Sequence, residues 1–298
     1  MYIGLDIGGT KMLGGAFDGQ SLSKTHKLKT PVCSTAQAIT DQIILLIQTL
    51  AGNEKIEGIG IGIPGSIDAG VIHFSPNLPF RDFPLLDQLK SRFSVPIAIA
   101  NDVNVGLLGE HWAGAAKSLA NVVGLFIGTG IGGALILNNQ LHSGMHHIAG
   151  EIGHMKLRLD GPPCNCGEHG CFEALASKTG IQRVLEKNGF SFDGVVKSSF
   201  LREQMEKDNK VVKALMKKVA TTIGEALGSL TNILDPEAFI LGGGVMQSLG
   251  QVLLPRIKTV AKSRGLVRPA IKLSALGDYA VVHGAVRLVL SQNDKLLK

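Results

Sequence analysis

Short apolar and β-branched runs punctuate this chain at positions 2–6, 12–17, 56–63, 97–100, 122–127, 134–137 and 238–241, and each predicts a strand. Helical periodicity fills much of the space between them. Over 35–50 the apolar residues Ile39, Ile43, Leu46, Ile47 and Leu50 recur at the spacing of one helix face. The segments 103–112, 210–234 and 250–263 also predict helices. Strands alternating with helices in this way indicate an α/β architecture.

Two stretches share a design. Near the start a strand runs into Asp6-Ile-Gly-Gly-Thr10 and then a second strand; near the middle a strand runs into Gly128-Thr-Gly-Ile-Gly-Gly133 and then a second strand. Two equivalent hairpins from related domains and two unrelated glycine hairpins both fit this pattern. The first would set a domain boundary near residue 110.

A strand–glycine turn–strand unit can hold phosphate, because glycines bring backbone N–H groups close to an anion. Gly8, Gly9, Thr10 and Lys11 form the first such turn, and Thr129 and Gly130 the second. Asp6, at a strand end beside the first turn, is placed to hold a magnesium ion through water. A third cluster, Gly242, Gly243 and Gly244, closes the apolar strand at 238–241, where bare backbone would accept an adenine ring or ribose. The pattern G-x-x-x-x-G-K-[ST] is absent, and Gly130-Ile-Gly132 leads into another strand and not a helix, which argues against a Rossmann site.

Length and composition narrow the field. The 298 residues suit two α/β domains, with 45% hydrophobic and 18% charged residues as in soluble globular proteins. Only the polar end SQNDKLLK reads as a tail. No run is long and apolar enough for a bilayer, and MYIGLDIGGTK lacks the signature of a signal peptide, so a cytoplasmic location without membrane partners is expected. The net charge of +6 includes Lys207, Lys210, Lys213, Lys217 and Lys218 at helical spacing. Without interleaved aromatics these read as a solvated face, not a nucleic-acid track.

Cys164, Cys166 and Cys171 cluster, while Cys33 stands alone as a small hydrophobe or an uninvolved thiol. With His154 the three make a closed tetrahedral set of soft ligands, the pattern of structural zinc. No position is left for a catalytic water. His146, His147 and His169 read as exposed loop histidines. Asp102 follows a strand and precedes a helix, a place that suits both a catalytic base facing a cleft and a helix N-cap.

The segments DIGGTK, GIGIPGSID, SPNLP, ANDVNVGLLGE, GTGIGGALILNNQLHSGMHHIAGEIGH, CNCGEHGCFEALAS and DPEAFILGGGV span the chain nearly end to end. Together they resemble the repressor–ORF–kinase (ROK) family of sugar kinases and sugar-responsive regulators. The resemblance implies an α/β, two-domain, actin-like and hexokinase-like (ribonuclease H-like) fold with an interdomain cleft. A smaller domain, 1–110 plus a C-terminal helix at about 284–298, would carry the phosphate hairpin and the catalytic Asp. A larger domain, 111–283, would carry the zinc loop and the sugar and adenosine sites. Asp102 matches the family's catalytic aspartate. Gly65, Asn77, Asn101, Asp102, Glu151, His154 and Glu173 match its sugar pocket, and His154, Cys164, Cys166 and Cys171 match its zinc motif. The implied cofactors are ATP, Mg2+ and structural Zn2+, and homodimers and domain closure are usual.

The implied reaction is phosphorylation of a hexose 6-hydroxyl. Glucose comes first, because GPPCNCGEHGCFEALAS looks most like the glucose-phosphorylating branch. N-acetylglucosamine, N-acetylmannosamine, mannose and fructose are the alternatives; the opening MYIGLDIGGTK and the Gly153-His154-Met155 run resemble N-acetylglucosamine kinases. Regulators of the family carry a helix-turn-helix segment before the first hairpin, which here begins at residue 2, so an enzyme is expected. A sugar-binding member without turnover is the remaining alternative.

Overall fold

The computed structural model describes residues 1–19, 21–32 and 35–296; Cys33 lies outside the described residues. The chain divides into two compact units, one of Met1–Ser118, Ser143–Ala149 and Asp278–Lys298, the other of Leu119–His142 and Gly150–Gly277. The sequence pattern places the first limit near 110, and the resemblance places the second at about 284.

In the first unit β1 (Tyr2–Ile7), β2 (Lys11–Asp18) and β3 (Ser21–Lys29) form an antiparallel meander. The chain then enters α1 (Ala36–Ala51), where Thr35 caps the helix by accepting from the Ala38 N–H, and Ile39, Ile43, Leu46, Ile47 and Leu50 are all buried. β4 (Gly58–Ile63) is followed by a small sheet of β5 (Ser66–Asp68), β6 (Val71–Phe74) and β7 (Arg81–Phe83). Then come α2 (Leu85–Lys90), β8 (Ile97–Asn101) and α3 (Asp102–Ala113). The main sheet has the order β3-β2-β1-β4-β8, with β4 parallel to both β1 and β8.

The second unit holds β9 (Val122–Ile127), β10 (Ile131–Leu137) and β11 (Gln140–Leu141), then a 3-10 turn at Ile152–His154. Helices α4 (Phe172–Ala176), α5 (Lys178–Glu186), α6 (Ser198–Glu206) and α7 (Lys210–Leu234) follow, then β12 (Ala238–Gly242), α8 (Gly243–Arg264) and β13 (Ala270–Leu273). Its sheet runs β11-β10-β9-β12-β13, again an antiparallel meander followed by two parallel strands. The two glycine turns therefore occupy the same place in two sheets of one design, which decides for related domains over unrelated hairpins. The two-lobed α/β fold is that of the actin-like and hexokinase-like proteins.

Several elements differ from the sequence pattern. β3 was not predicted, because SLSKTHKLK is a polar edge strand whose exposed lysines disfavour pairing with another chain. The helix expected from 250 begins at Gly243. Glycines are poor helix formers, so they hid its first two turns. The polar end continues α9 (Ala280–Leu296) for most of its length. The lysines at 207, 210, 213, 217 and 218 are all exposed, with Lys207 paired to Glu203 at 2.5 Å.

α9 lies against β1, β4 and α3 within the first unit. The approach is backbone to backbone: a Cβ added at Gly60 would stand 1.8 Å from the Ala285 carbonyl oxygen. Alternating GIGIGI in β4 thus supplies large side chains to one face and a flat seat for α9 on the other. Among the described residues no helix is long and apolar enough to cross a membrane. Gly60→Ala is expected to cost about 2 kcal/mol or more, because α9 must lift off the strand. The midpoint of denaturant unfolding measures this; an unchanged midpoint would mean that α9 is not seated there.

Candidate active site and metal centre

The first glycine turn is fixed from within the first unit. The Gly8 N–H donates to the Lys11 carbonyl at 3.0 Å, while the Thr30 N–H donates to the Thr10 carbonyl at 3.1 Å and its hydroxyl to the Gly8 carbonyl at 2.6 Å. Asn77 packs on the turn, since a Cβ at Gly9 would meet the Asn77 Cβ at 2.8 Å. Lys11 forms an exposed ion pair with Asp278, Nζ to Oδ2 2.7 Å. Nothing local in the sequence marks Asp278, which lies far along the chain just before α9.

At the corner between β8 and α3 the capping residue is Asn101. Its Oδ1 accepts from the Val103 and Asn104 N–H groups at 3.0 and 3.3 Å. Its Nδ2 donates to the Gly65 carbonyl at 3.2 Å, which binds the corner to the end of β4. Gly65 itself has φ +133° and passes so close to Phe74 that no side chain fits. Asp102 is the first helical residue and accepts from the Val103 N–H at 3.0 Å. The cap reading of Asp102 is thus replaced: Asn101 does that work.

Asp6 and Asp102 sense each other. Burial, then the Asp102 charge, push the Asp6 carboxyl up from 3.8 to about 7; Lys11 opposes this and Asp278 adds to it. Two carboxylates in one partly desolvated place are the donor set that a hard divalent cation takes, so these residues fit magnesium.

In the second unit, Glu173 in the first turn of α4 serves the second glycine turn. Its Oε2 accepts from the Ile131 N–H at 2.9 Å, and a Cβ at Gly130 would lie 2.2 Å from that oxygen. The start of α5 clamps the same turn, with the Lys178 N–H on the Gly128 carbonyl at 2.9 Å and the Thr179 hydroxyl on the Thr129 carbonyl at 2.9 Å. The third cluster joins β12 to α8 through Gly243, whose φ of +81° is a conformation that a side chain would strain.

His154, Cys164, Cys166 and Cys171 bring their ligand atoms within 4.8 Å of one another. The Cys166 and Cys171 sulfurs are 3.7 Å apart, close to the edge of about 3.8 Å that a tetrahedron of zinc–sulfur bonds near 2.3 Å has. Cys164 Sγ stands 3.8 Å from His154 Nδ1. Burial pushes the Cys164 and Cys171 thiols up, Cys171 to about 12, while the Glu168 backbone N–H draws Cys166 down to about 7. Three thiols with such different ionisation become thiolates together only beside a cation, so the set fits zinc. The other ring nitrogen, His154 Nε2, faces Glu151 Oε2 at 3.9 Å. His146 and His169 are exposed, as is His147, which meets Asp68 at 3.4 Å.

A family model described as the ROK family matches residues 2–292. The chain belongs to the ROK family. It is 33% identical to the glucokinase of Halalkalibacterium halodurans, over 100% of this chain and 97% of that one. It is 32% identical to the N-acetyl-D-glucosamine kinase of Pectobacterium atrosepticum, over 98% and 100%. The fold matches the crystal structure of a ROK family glucokinase from Streptomyces griseus in complex with glucose and AMPPNP. The TM-score is 0.85 and the identity 30%, over 97% of this chain and 99% of that one. This ROK protein is an ATP:sugar phosphotransferase, with ATP and a sugar as its substrates.

The raised Asp6 carboxyl has a consequence for stability. Between its ordinary value of 3.8 and about 7 the folded protein binds more protons here than the unfolded chain. The contribution of Asp6 is therefore fully present below about pH 4 and is lost as pH rises through about 7. In magnesium-free buffer, Asp6→Asn should gain stability relative to the wild type from pH 4 to pH 7, measured by denaturant unfolding at each pH. A constant difference would remove the electrostatic account of this residue.

Proposed function

We propose that this ROK kinase transfers the γ-phosphoryl group of ATP to the 6-hydroxyl of glucose, with Asp102 as the base. The observation that carries this reading is the division of labour at the β8–α3 corner. Asn101 caps the helix, and Asp102 stands near enough to Asp6 for its charge to raise that carboxyl. On this reading Asp102 accepts the 6-hydroxyl proton as the sugar oxygen attacks the γ-phosphorus. The new O–P bond forms while the bond to the β-phosphate oxygen breaks, and ADP leaves with that electron pair. Asp6 would hold a magnesium ion through water; such an ion, when bound, spreads charge on the phosphates.

The residues that match the family's sugar pocket are Asn77, Asn101 and the Gly65 backbone in the first unit and Glu151, His154 and Glu173 in the second. Their existing bonds limit what each has left to offer. Asn101 keeps one amide N–H, and Glu173 keeps accepting capacity on Oε1, which also lies 3.9 Å from Cys164 Sγ, since Oε2 holds Ile131. A zinc ion on the His154 Nδ1 side would leave the proton on Nε2, so His154 would donate where Glu151 accepts, a pair suited to neighbouring hydroxyls. The support for glucose over N-acetylglucosamine is the CNCGEHGCFEALAS run, because relatives of both kinds are about equally similar.

ADP release over a panel of hexoses and N-acetylhexosamines with Mg-ATP tests the reading. Glucose should give the highest kcat/KM; turnover confined to N-acetylglucosamine would reassign the substrate, and no release with any sugar would defeat the enzyme. Asp102→Asn should lower kcat by about 1,000-fold with an unchanged circular dichroism spectrum. A variant that kept most of the rate would dismiss Asp102 as the base.

A further inference from the structure

A cavity of about 260 Å³ lies beside the last turns of α8, between that helix, the end of α7 and strand β13, all within the second unit. At about 1.5 Å per residue, those turns stand roughly 25 Å along α8 from the glycines that open it. Buried Phe239 and Ala261 lie in the floor, and Val267 and Ile271 line the walls. Thr231 also lines it, but its hydroxyl donates to the Leu227 carbonyl at 2.8 Å, so its proton is already placed. The loop after α8 is fixed by Asn232, whose side chain accepts from the Leu266 N–H at 2.8 Å and donates to the Arg264 carbonyl at 3.3 Å. An apolar cavity of about 150 Å³ takes a benzene ring, so this one has room for a ring and a short tail.

The charged groups around this cavity are of one sign. Lys258, Lys262 and Arg268 line it, no acidic side chain does, and among the described residues none of the three pairs with a carboxylate. The nearby acids are committed elsewhere: Glu225 to Arg158 and Arg264, and Glu237 to the Ala120 and Asn121 N–H groups. Lys258 and Lys262 stand one turn apart on α8, where like charges repel. The helix dipole accounts for Lys262, in the last turn, and not for Lys258. A backbone donor adds to the cations. The Ala270 and Ser274 N–H groups donate to β12, so the Ile271 N–H, out of that phase, faces the open edge of the sheet. We propose that this cavity is a further binding site, for a small molecule with an apolar ring or short chain and one carboxylate. The body fills the cavity, and the carboxylate meets the cations and the Ile271 N–H, an apolar pocket with a few polar groups to fix the orientation. The site does not rest on the function proposed above.

Calorimetric titration of the full chain with phenylpropanoate, phenylpropanol and acetate tests the site. Phenylpropanoate should bind about tenfold or more tighter than the alcohol, which lacks the charge, and about 100-fold or more tighter than acetate, which lacks the body. Lys262→Met and Arg268→Met, both changes at exposed positions, should each weaken phenylpropanoate about tenfold and the alcohol less than about twofold. Saturating ADP should leave the affinity for phenylpropanoate within about twofold. No binding of phenylpropanoate would overturn the site. Acetate bound as tightly would reduce it to a basic surface, and the alcohol bound as tightly would remove the carboxylate from the proposal. Variants that bind phenylpropanoate like the wild type, or competition by ADP, would place the binding elsewhere and so overturn the assignment.

Discussion

The carboxylate of Glu173 is held from three directions, and the chemistry of the second unit is arranged around it. One oxygen takes the Ile131 N–H just beyond the second glycine turn, Gly130 gives up its side chain to make room, and the other oxygen lies 3.9 Å from the Cys164 sulfur. An anion in this place must be compensated, and the compensation comes from a backbone donor on one side and the metal-ligand cluster on the other. Moving any of the three would move the rest. The second glycine turn, the Glu173 carboxylate and the His–Cys loop are thus one construction, in which α4 is the short rod.

A different economy governs the first unit. There the difficulty is two aspartates in one partly desolvated place, and the fold tolerates them by letting Asp6 hold its proton to about pH 7. A cation between the phosphates and Asp6 would restore the charge when substrate arrives. At the helix corner Asn101 meets the backbone demands of α3 and Gly65. The same strand-to-turn position in the two sheets, after β4 and after β12, is occupied by a glycine of positive φ, Gly65 and Gly243. Duplicated sheets give duplicated corners.

Much of this was readable in the residues. Apolar runs marked the inner strands because those strands are buried on both faces, and α1 and α7 showed themselves through helical periodicity. The four candidate metal ligands announced themselves by spacing. What escaped follows from physics that a local pattern does not carry. β3 is polar because it is an edge, α8 begins in glycines because its start must stay bare, and Asp278 reaches Lys11 only through the return of α9 to the first unit. Glu173 was marked only by the resemblance, and its place is set by a turn some forty residues earlier.

The central claim is that zinc acts as a scaffold for the sugar pocket and not as a separate staple. Cys166 is the exposed cysteine of the ligand set, so its loss leaves no hole in the core. The decisive measurement is the KM for glucose of Cys166→Ala against the wild type, at a temperature where both are folded. The scaffold account predicts a rise of about tenfold, with a lower melting temperature beside it. A KM equal to that of the wild type, with zinc lost, would contradict it.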